Sequence, residues 1–240
     1  MSRCNNISGM LLVDKPSNIT SFKVVKILRK LLNVKKAGHC GTLDPLASGL
    51  LLILFGKATK LQDKFMKKDK VYTSSFLLGT VTDTYDFDGK IVSVKEVSNI
   101  SIEKIKNLLN NFKGDIYQTP PMYSALKVNG QKLYTLARKG IEVSRNSRKV
   151  IIREFDVLSF DKNIVNVKIH CSSGTYVRCL AKDLGDVLGC GATVKTLRRE
   201  KIHNFDVKDA LPFENSNDLD KIMSNIISYE TLIGFLDRQP

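Results

Sequence analysis

The sequence predicts an α+β fold with a mixed, mostly antiparallel central sheet flanked by helices. Three observations support this class. Predicted strands outnumber predicted helices over the 240 residues, helices fall between only some of the strands, and residues 164–171 alternate apolar and polar side chains. Such alternation is typical of an antiparallel sheet with one wetter face. A chain of this length can bury a sizeable core in one domain or two.

Apolar runs bounded by turn residues give the strands. They are predicted at residues 9–13, 50–55, 71–78, 150–160, 164–171 and 193–202. Capping residues and apolar periodicity give the helices, which are predicted after Thr20 or Ser21, after Ser101 as far as Gly114, between Gly130 and Gly140, at residues 176–188 and at residues 219–227. The acid-rich segment 82–89 lacks the terminal glutamate of a calcium loop and is interpreted as a turn.

The first predicted helix is amphipathic. Its buried side is predicted to carry Phe22, Val25, Leu28, Leu31 and Leu32, and its other side carries Lys23, Lys26, Arg29 and Lys30. A basic side of this kind is either a solvated surface or a contact for the phosphates of a polyanion. The sequence leaves both interpretations open.

Basic residues dominate the charge of the chain. There are 38 lysines and arginines against 24 aspartates and glutamates, which gives a net charge of +14. Residues 211–240 carry −3, so residues 1–210 carry +17. A positive field of this size attracts polyanions and speeds their encounter with the protein. We therefore expect the main body of the chain to bind a polyanion.

Cysteine spacing and hydropathy indicate the compartment. The five cysteines, at positions 4, 40, 171, 179 and 190, form no Cys-x-x-Cys pair, and their odd number fits free thiols in a reducing compartment. Residues 1–10 have no apolar core of signal-peptide length, and the apolar run 46–55 is about half as long as a bilayer span. We expect a cytoplasmic protein without a membrane segment.

Residues 37–50 (AGHCGTLDPLASGL) are the segment around which the chain is organised. Glycines, a histidine and an Asp-Pro step separate the basic helix from a buried strand. Because proline restricts the residue before it, the carboxylate of Asp44 projects from a loop. Taken alone, such an aspartate more often caps a helix or starts a turn.

Several kinds of active site do not fit the sequence. The three histidines, His39, His170 and His203, form no pair at helical spacing, and no Gly-x-Ser-x-Gly is present. Residues 56–59 lack the preceding Gly-rich turn of a P-loop, and no Gly-x-Gly-x-x-Gly follows a strand. Metal and cofactor chemistry are therefore disfavoured. The residues alone indicate an RNA- or DNA-binding protein with a candidate carboxylate site.

The segment at residues 119–150 is basic and contains interleaved aromatic residues. Tyr123 and Tyr134 lie among Lys127, Lys132, Arg138, Lys139, Arg145, Arg148 and Lys149. Aromatic rings stack on bases and basic side chains contact phosphates, so this mixture suits nucleic acid. An ordinary surface excursion explains it equally well on sequence alone.

A set of motifs in a fixed order resembles one family. The motifs are GMLLVDKP (residues 9–16), GHCGTLDP (38–45), KVY (70–72), TDT and DG (82–84 and 88–89), PMYSALK (121–127), GTYVR (174–178) and LRR (197–199). With them the chain resembles the bacterial TruB family, the tRNA pseudouridine-55 synthases, from about residue 9 to about residue 200. The motifs are highly specific as a set.

The resemblance implies the pseudouridine synthase fold and an isomerase that needs no cofactor and no metal. The implied reaction detaches uracil from a uridine in the T-loop of tRNA, rotates it and rejoins it through C5. The target is flipped out of the folded loop, at a cost of a few kcal/mol. Asp44 matches the family's catalytic aspartate. Whether it attacks C1′ of the sugar or C6 of the base, or assists glycal formation, stays open.

The resemblance also implies roles for other residues. Arg178 matches the arginine that pairs with the catalytic aspartate, and Tyr72 matches the tyrosine that stacks on the target base and is a candidate to take the C5 proton. His39 matches the histidine that fills the space left by the flipped base. The remaining matches are Tyr176 and Leu197, in the base pocket, and Lys15, with a structural or phosphate-binding role.

We predict a catalytic domain at residues 1–202 and a short C-terminal extension at residues 203–240. The basic segment at about 119–150 matches the thumb-like insertion with which the family closes over the T-arm. Cys40 and Ser48 stand where threonine is usual, and both keep a small side chain. The extension is too short and too acidic for a complete PUA domain, an RNA-binding domain that ends many members. Affinity for tRNA is then expected to rest on the T-arm.

The first function hypothesis is a tRNA pseudouridine synthase that uses Asp44, Tyr72 and Arg178. The second is a tRNA-binding folding chaperone whose catalysis is secondary or lost. The retained aspartate favours the enzyme, because binding alone does not need an acid that faces a phosphate-rich ligand. A third hypothesis, an enzyme guided by a separate RNA, is disfavoured because guide-dependent relatives rely on a PUA-type domain. We expect a monomer that binds the T-arm of tRNA and needs no obligatory protein partner.

Overall fold

The computed structural model describes residues 7–128 and 130–237. Its strands are β1 Gly9–Lys15, β2 Ala37–His39, β3 Ser48–Phe55, β4 Lys70–Leu78, β5 Thr80–Thr82, β6 Ile91–Val94, β7 Gly114–Gln118, β8 Lys127–Val128, β9 Gln131–Lys132, β10 Arg148–Asp161, β11 Ile164–Cys171, β12 Ala192–Ile202, β13 Phe205–Asp206, β14 Leu211–Pro212 and β15 Ile227–Ser228. Its helices are α1 Ser21–Leu31, α2 Gln62–Met66, α3 Ile102–Asn110, α4 Leu133–Ala137, α5 Val177–Leu188, α6 Leu219–Ser224 and α7 Tyr229–Asp237. These elements form two compact units, the first up to residue 71 and from residue 198, the second from residue 72 to residue 197.

The first unit is built on a sheet in which β1 is central. β3 lies antiparallel to β1, and β14 lies parallel to it. The end of β12 joins β3 in parallel register, with Arg198 opposite Ser48 and Arg199 opposite Gly49. β2 pairs with β3, β13 with β12 and β15 with β1, all antiparallel.

Successive residues of the central strands enter two different cores. Leu11 and Val13 pack with α1 in one core, while Met10 and Leu12 pack with α2 and α7 in the other. Side chains alternate across a strand, so a sheet that is covered on both faces needs apolar residues at every position. This explains the unbroken apolar run at residues 50–55.

The second unit is built around β10. This strand pairs antiparallel with β7 and with β11, and β4 lies between β11 and β12. Phe155 of β10 contacts the rings of Phe76 and Phe112 edge to face, at centroid distances of 6.2 and 6.0 Å. β5 and β6 form a separate hairpin.

The basic insertion, residues 119–150, leaves the second unit's sheet after β7 and returns to it in β10. It contains the hairpin of β8 and β9, followed by α4. Arg148 lies opposite Gln118 in the sheet, and the hydroxyls of Thr119 and Ser147 are 2.8 Å apart in a hydrogen bond. These contacts hold the two ends of the insertion together.

The structure confirms the predicted fold class and most predicted elements, with one correction in α1. Phe22 is 73% exposed, not buried. The buried stripe begins instead at Ser21 and continues through Val24, Val25 and Leu28. Ser21 takes the inward position because its hydroxyl has backbone partners there, which apolar periodicity does not reveal.

Other corrections concern element ends. The helix predicted at residues 219–227 ends at Ser224, and the short strand β15 and the helix α7 follow it. α3 ends at Asn110, and Gly114, which was predicted to end this helix, begins β7. Short strands such as β2 and β7 were not predicted, because they carry no apolar run of their own.

The structure gives observations on two predictions, that of free cysteines and that of a chain without a membrane segment. Among the described residues no disulfide is formed by Cys40, Cys171, Cys179 or Cys190, and Cys4 lies outside those residues. Within residues 7–128 and 130–237, no helix is long and apolar enough to cross a membrane. The predicted domain boundary at residue 202, the monomer and the cytoplasmic location stay predictions.

Candidate active site

The loop that carries Asp44 is fixed by α1 and the turn before it. Thr20 caps α1 by accepting a hydrogen bond from the backbone of Lys23, which sets the position of Ser21. The hydroxyl of Ser21 accepts from the N–H of Leu43 at 2.8 Å and donates to its carbonyl at 2.9 Å. These bonds position the residue before Asp44, whose own side chain is partly exposed.

The residue after Asp44 is fixed as well. The N–H of Asn18 donates to the carbonyl of Pro45 at 2.7 Å. The loop backbone is therefore held on both sides of the candidate catalytic residue, through bonds that do not use its carboxylate.

Arg199 joins the two ends of the same loop. Its side chain is 1% exposed, and it donates from Nε to the carbonyl of Leu50 at 2.7 Å and from Nη2 to that of Gly41 at 3.1 Å. The planar guanidinium suits this task because it presents several donors in a fixed geometry. Gly49 has a φ of +100°, and a Cβ there would lie 2.3 Å from the backbone oxygen of Arg199. Only glycine therefore allows β3 to approach β12 this closely.

Lys15 is a buried cation in the field of Arg199. Its ammonium donates to the carbonyls of Pro16 and Ile19 at 2.8 and 2.9 Å. Burial, and then the charge of Arg199, lowers the pKa of Lys15 to about 8, while the carboxylate of Asp44 acts in the opposite direction. Its bonds to the 16–19 turn favour a structural role, and its charge contributes to the potential at Asp44.

His39 ends β2, close to the candidate loop. Burial, and then the charge of Arg199, lowers the pKa of His39 below its usual value, so the imidazole is neutral at pH 7. Its buried Nδ1 has no hydrogen-bond partner in the described part of the chain. Beside it, burial raises the pKa of the Cys40 thiol to about 12, so this cysteine is not ionised.

Arg178 is the centre of a second group of candidate residues, in the second unit. It is 4% exposed and lies in the first turn of α5. Its Nη1 lies 3.3 Å from the carboxylate of Asp86 and donates to the carbonyl of Thr84 at 2.9 Å. Its Nη2 donates to the carbonyl of Tyr123 at 2.8 Å. One guanidinium thus links the 82–89 turn with the basic insertion.

Tyr176 is held by two side chains of the same unit. Its N–H donates to Gln118 at 3.0 Å, and the Gln118 amide donates back to its carbonyl at 3.3 Å. The guanidinium of Arg148 lies 4.9 Å from the Tyr176 ring centroid and donates to the carbonyl of Gly174 at 2.7 Å. A cation at this distance from an aromatic ring stabilises the ring's position.

Tyr72 and Leu197 are buried residues of neighbouring strands. Tyr72 lies on the face of β4 that also carries Ser74, and Leu197 lies on β12. The Ser74 hydroxyl donates to the carbonyl of Thr196 at 2.6 Å, which fixes the two strands beside each other.

Each unit contains part of the predicted site. Lys15, His39 and Asp44 lie in the first unit, where the charge of Arg199 acts on Lys15 and His39 and that of Asp44 acts on Lys15. The second unit contains Tyr72, Tyr176, Arg178 and Leu197. Arg199 and Asp86 were not predicted as site residues, although Arg199 lies in the LRR motif at residues 197–199 and Asp86 lies in the acid-rich turn at residues 82–89. The pairing of Arg178 with Asp44 stays a prediction.

Comparison with known proteins gives consistent results. Residues 29–177 match the model for the TruB family pseudouridylate synthase N-terminal domain, and residues 178–230 match that for the tRNA pseudouridylate synthase B C-terminal domain. The tRNA pseudouridine synthase B of Endomicrobium trichonymphae is 65% identical over 93% of this chain and 97% of its own length. That of Clostridium tetani is 45% identical over 97% of this chain and 80% of its own.

Solved structures show the same fold. A chain in a Cbf5–Nop10–Gar1 complex aligns with a TM-score of 0.70 and 25% identity, over 93% of this chain and 60% of that one. A chain in an H/ACA RNP bound to a substrate RNA containing 2′-deoxyuridine aligns with a TM-score of 0.67 and 25% identity, over 90% of this chain and 54% of that one. The fold and the family matches define a pseudouridine synthase, which is an isomerase. The chain belongs to the TruB family.

Proposed function

We propose that this protein isomerises uridine 55 in the T-loop of tRNA to pseudouridine. The observation that carries the proposal is the Asp44 loop, in which a partly exposed carboxylate sits on a backbone fixed by Ser21, Asn18 and Arg199. A reacting group has to be both accessible and held in place. The names of the relatives, tRNA pseudouridine synthase B, support tRNA as the substrate.

Asp44 acts as the nucleophile in this proposal. Its carboxylate attacks C1′ of the sugar or C6 of the base, or assists glycal formation. In each route the bond between C1′ and N1 breaks, the uracil rotates, and a bond forms between C1′ and C5. The proton on C5 leaves to solvent, N1 takes up a proton from solvent, and any bond that Asp44 has formed breaks again. The product is an isomer of the substrate, so the balance requires no oxidant, reductant or second substrate.

Flipping the target base leaves a space in the T-loop, and His39 is the residue we assign to it. A neutral imidazole enters a space lined by bases at a smaller desolvation cost than a charged one. The low pKa of His39 and its unpartnered Nδ1 in the described part of the chain support this role. Tyr72 stacks on the flipped base, Tyr176 and Leu197 line its pocket, and Arg178 pairs with the aspartate in this proposal.

The basic insertion provides the T-arm contact in this proposal. The ring of Tyr134 has Nζ of Lys132 at 5.5 Å and the guanidinium of Arg138 at 5.7 Å from its centroid. Cations and aromatic surface are therefore presented together, as in proteins that hold RNA by its backbone and bases.

Tritium release from a T-arm hairpin labelled at C5 of uridine 55 tests the chemistry directly. We expect release with the unmodified protein, and a loss of at least about 10³-fold with Asp44→Asn. Hairpin affinity should stay within about two-fold, because the amide keeps the shape of the carboxylate. Asp209→Asn, an exposed carboxylate elsewhere in the first unit, is the matched control and should release tritium normally.

Two outcomes would contradict the proposal. No release by the unmodified protein, together with tight hairpin binding, would favour the folding chaperone instead. Equal losses of binding and release in Asp44→Asn would remove the nucleophile role from Asp44.

A further inference from the structure

The exposed side of α1 carries a row of cations without acidic neighbours along the chain. Lys23, Lys26, Arg29 and Lys30 are all exposed, next to the exposed ring of Phe22. Successive residues turn by 100° around a helix, so these five side chains share about a third of its circumference. The 29 residues from Lys15 to Leu43 contain seven basic side chains and no acidic one.

These cations differ from the paired cations of α5 and α6. On α5, Lys182 is 2.6 Å from the carboxylate of Asp186 one turn on, and on α6 Lys221 is 3.6 Å from that of Asp218, which caps the helix. The four α1 cations make no ion pair within residues 7–128 and 130–237. Like charges three and four residues apart destabilise a helix. The stability of the fold therefore does not explain why these four cations share one side of α1.

The row begins beside the candidate catalytic loop. Ser21, the first residue of α1, is bonded to Leu43, which precedes Asp44. The helix has 11 residues and extends for about 16 Å from that point. An RNA whose base reaches Asp44 therefore brings its backbone within reach of these side chains.

We propose that the exposed side of α1 is a second RNA-contact surface, which binds the phosphate backbone of the substrate next to the reaction site. The inference rests on the proposed function only for the identity of that RNA. Each lysine or arginine that meets a phosphate releases a counterion, which adds affinity without sequence preference. Phe22 supplies an apolar ring for a ribose or base at the end of the row nearest to Asp44.

The test compares two triple variants of equal charge. Lys23, Lys26 and Lys30 are changed to Gln in one, and the exposed Lys104, Lys106 and Lys208 are changed to Gln in the other. The dissociation constant of the T-arm hairpin is measured between 50 and 200 mM salt. We expect the α1 variant to bind about ten-fold or more weakly at the lowest salt, with its slope against salt reduced by about one per lost contact. The control should stay within about two-fold.

Two further measurements exclude simple unfolding. The thermal midpoint of the α1 variant should equal or exceed that of the unmodified protein, because like charges are removed from one helix. A variant with Arg at the same three positions should keep the original affinity and slope. Equal behaviour of the two Gln variants, or equal losses in the Gln and Arg variants of α1, would overturn the proposal.

The outcome is separable from that of the proposed function. Hairpin binding that depends on α1, without tritium release, would contradict the synthase and leave this surface standing. Normal tritium release, with hairpin binding that does not depend on α1, would support the synthase and overturn the proposed α1 surface. Retained RNA affinity together with loss of a protein–protein contact would assign the surface to another partner and overturn the inference.

Discussion

Asp44 and Asp86 both lie in turns, but the structure uses them in opposite ways. The backbone around Asp44 is held by Ser21 and Arg199, and its carboxylate is partly exposed. Asp86 is 5% exposed, and its carboxylate accepts from Thr84 at 2.6 Å and lies 3.3 Å from Arg178. A loop fixed through its backbone leaves its acid accessible for chemistry, whereas a loop fixed through its acid does not.

The largest effect on stability is expected from Asp86→Ala. The change leaves the charge of Arg178 buried without this partner, and breaking a buried pair costs about 3–5 kcal/mol of unfolding free energy. Urea unfolding measures the loss. Asp88→Ala removes an exposed carboxylate from the same turn and should cost less than about 1 kcal/mol. Similar losses in the two variants would show that the buried pair is not what holds this turn.

The next effect separates close approach from backbone conformation at the Asp44 loop. Gly41 and Gly49 have φ values of +95° and +100°, but a Cβ at Gly41 has its nearest neighbour at 3.5 Å and one at Gly49 at 2.3 Å. We expect Gly49→Ala to cost about 3 kcal/mol or more, and Gly41→Ala about 1 kcal/mol, in urea unfolding. Equal costs would mean that β3 can move away from Arg199.

Lys15, on which the charge of Asp44 acts, should make the stability of the protein depend on pH. Its pKa falls from 10.5 to about 8 on folding, so between these values the unfolded chain binds the proton more tightly and stability rises with pH. At full size this contribution is about 3 kcal/mol. Urea unfolding at pH 7.5 and at pH 10.5 measures this contribution. From the lower to the higher pH, the unfolding free energy of the unmodified protein should rise by up to about 3 kcal/mol relative to that of Lys15→Met. A constant difference between the two proteins would show that the ammonium is not desolvated.

The smallest effect is expected from Asp44→Asn. Because its carboxylate is partly exposed and the loop is held by backbone bonds, the change should alter the unfolding free energy by less than about 1 kcal/mol at pH 7. The same substitution at Asp86 weakens a buried ion pair and should cost more. A loss above about 2 kcal/mol at Asp44 would mean that this acid also holds its loop together.

Local sequence signals were sufficient for the main elements. The cap at Thr20, the apolar runs of β1 and β3 and the alternation of β11 are properties of neighbouring residues, and the structure agrees with them. Phe22 was placed wrongly because the orientation of α1 depends on bonds from Ser21 to a loop 22 residues away. β2 is a strand only because β3 lies beside it.

Less of the candidate site could be predicted from local sequence patterns. Resemblance to the family gave Asp44 and Arg178 through their motifs, while composition alone stopped at a carboxylate in a basic protein. Arg199 was missed because its partners are carbonyls at residues 41 and 50, far away in the chain, and a carbonyl leaves no signal in a sequence. Asp86 was missed because acidic residues are common in turns and do not by themselves indicate a buried ion pair.

The position of Arg199 also determines when the Asp44 loop loses its conformational freedom. Since Arg199 closes residues 41–50 into a ring in the folded chain, the entropy of ordering that ring belongs to folding and not to RNA binding. An incoming RNA therefore meets a preorganised loop, and its association is not slowed by loop closure. A change that loosens Arg199 would transfer this entropy to the encounter, so the same protein would fold more weakly and capture its substrate more slowly.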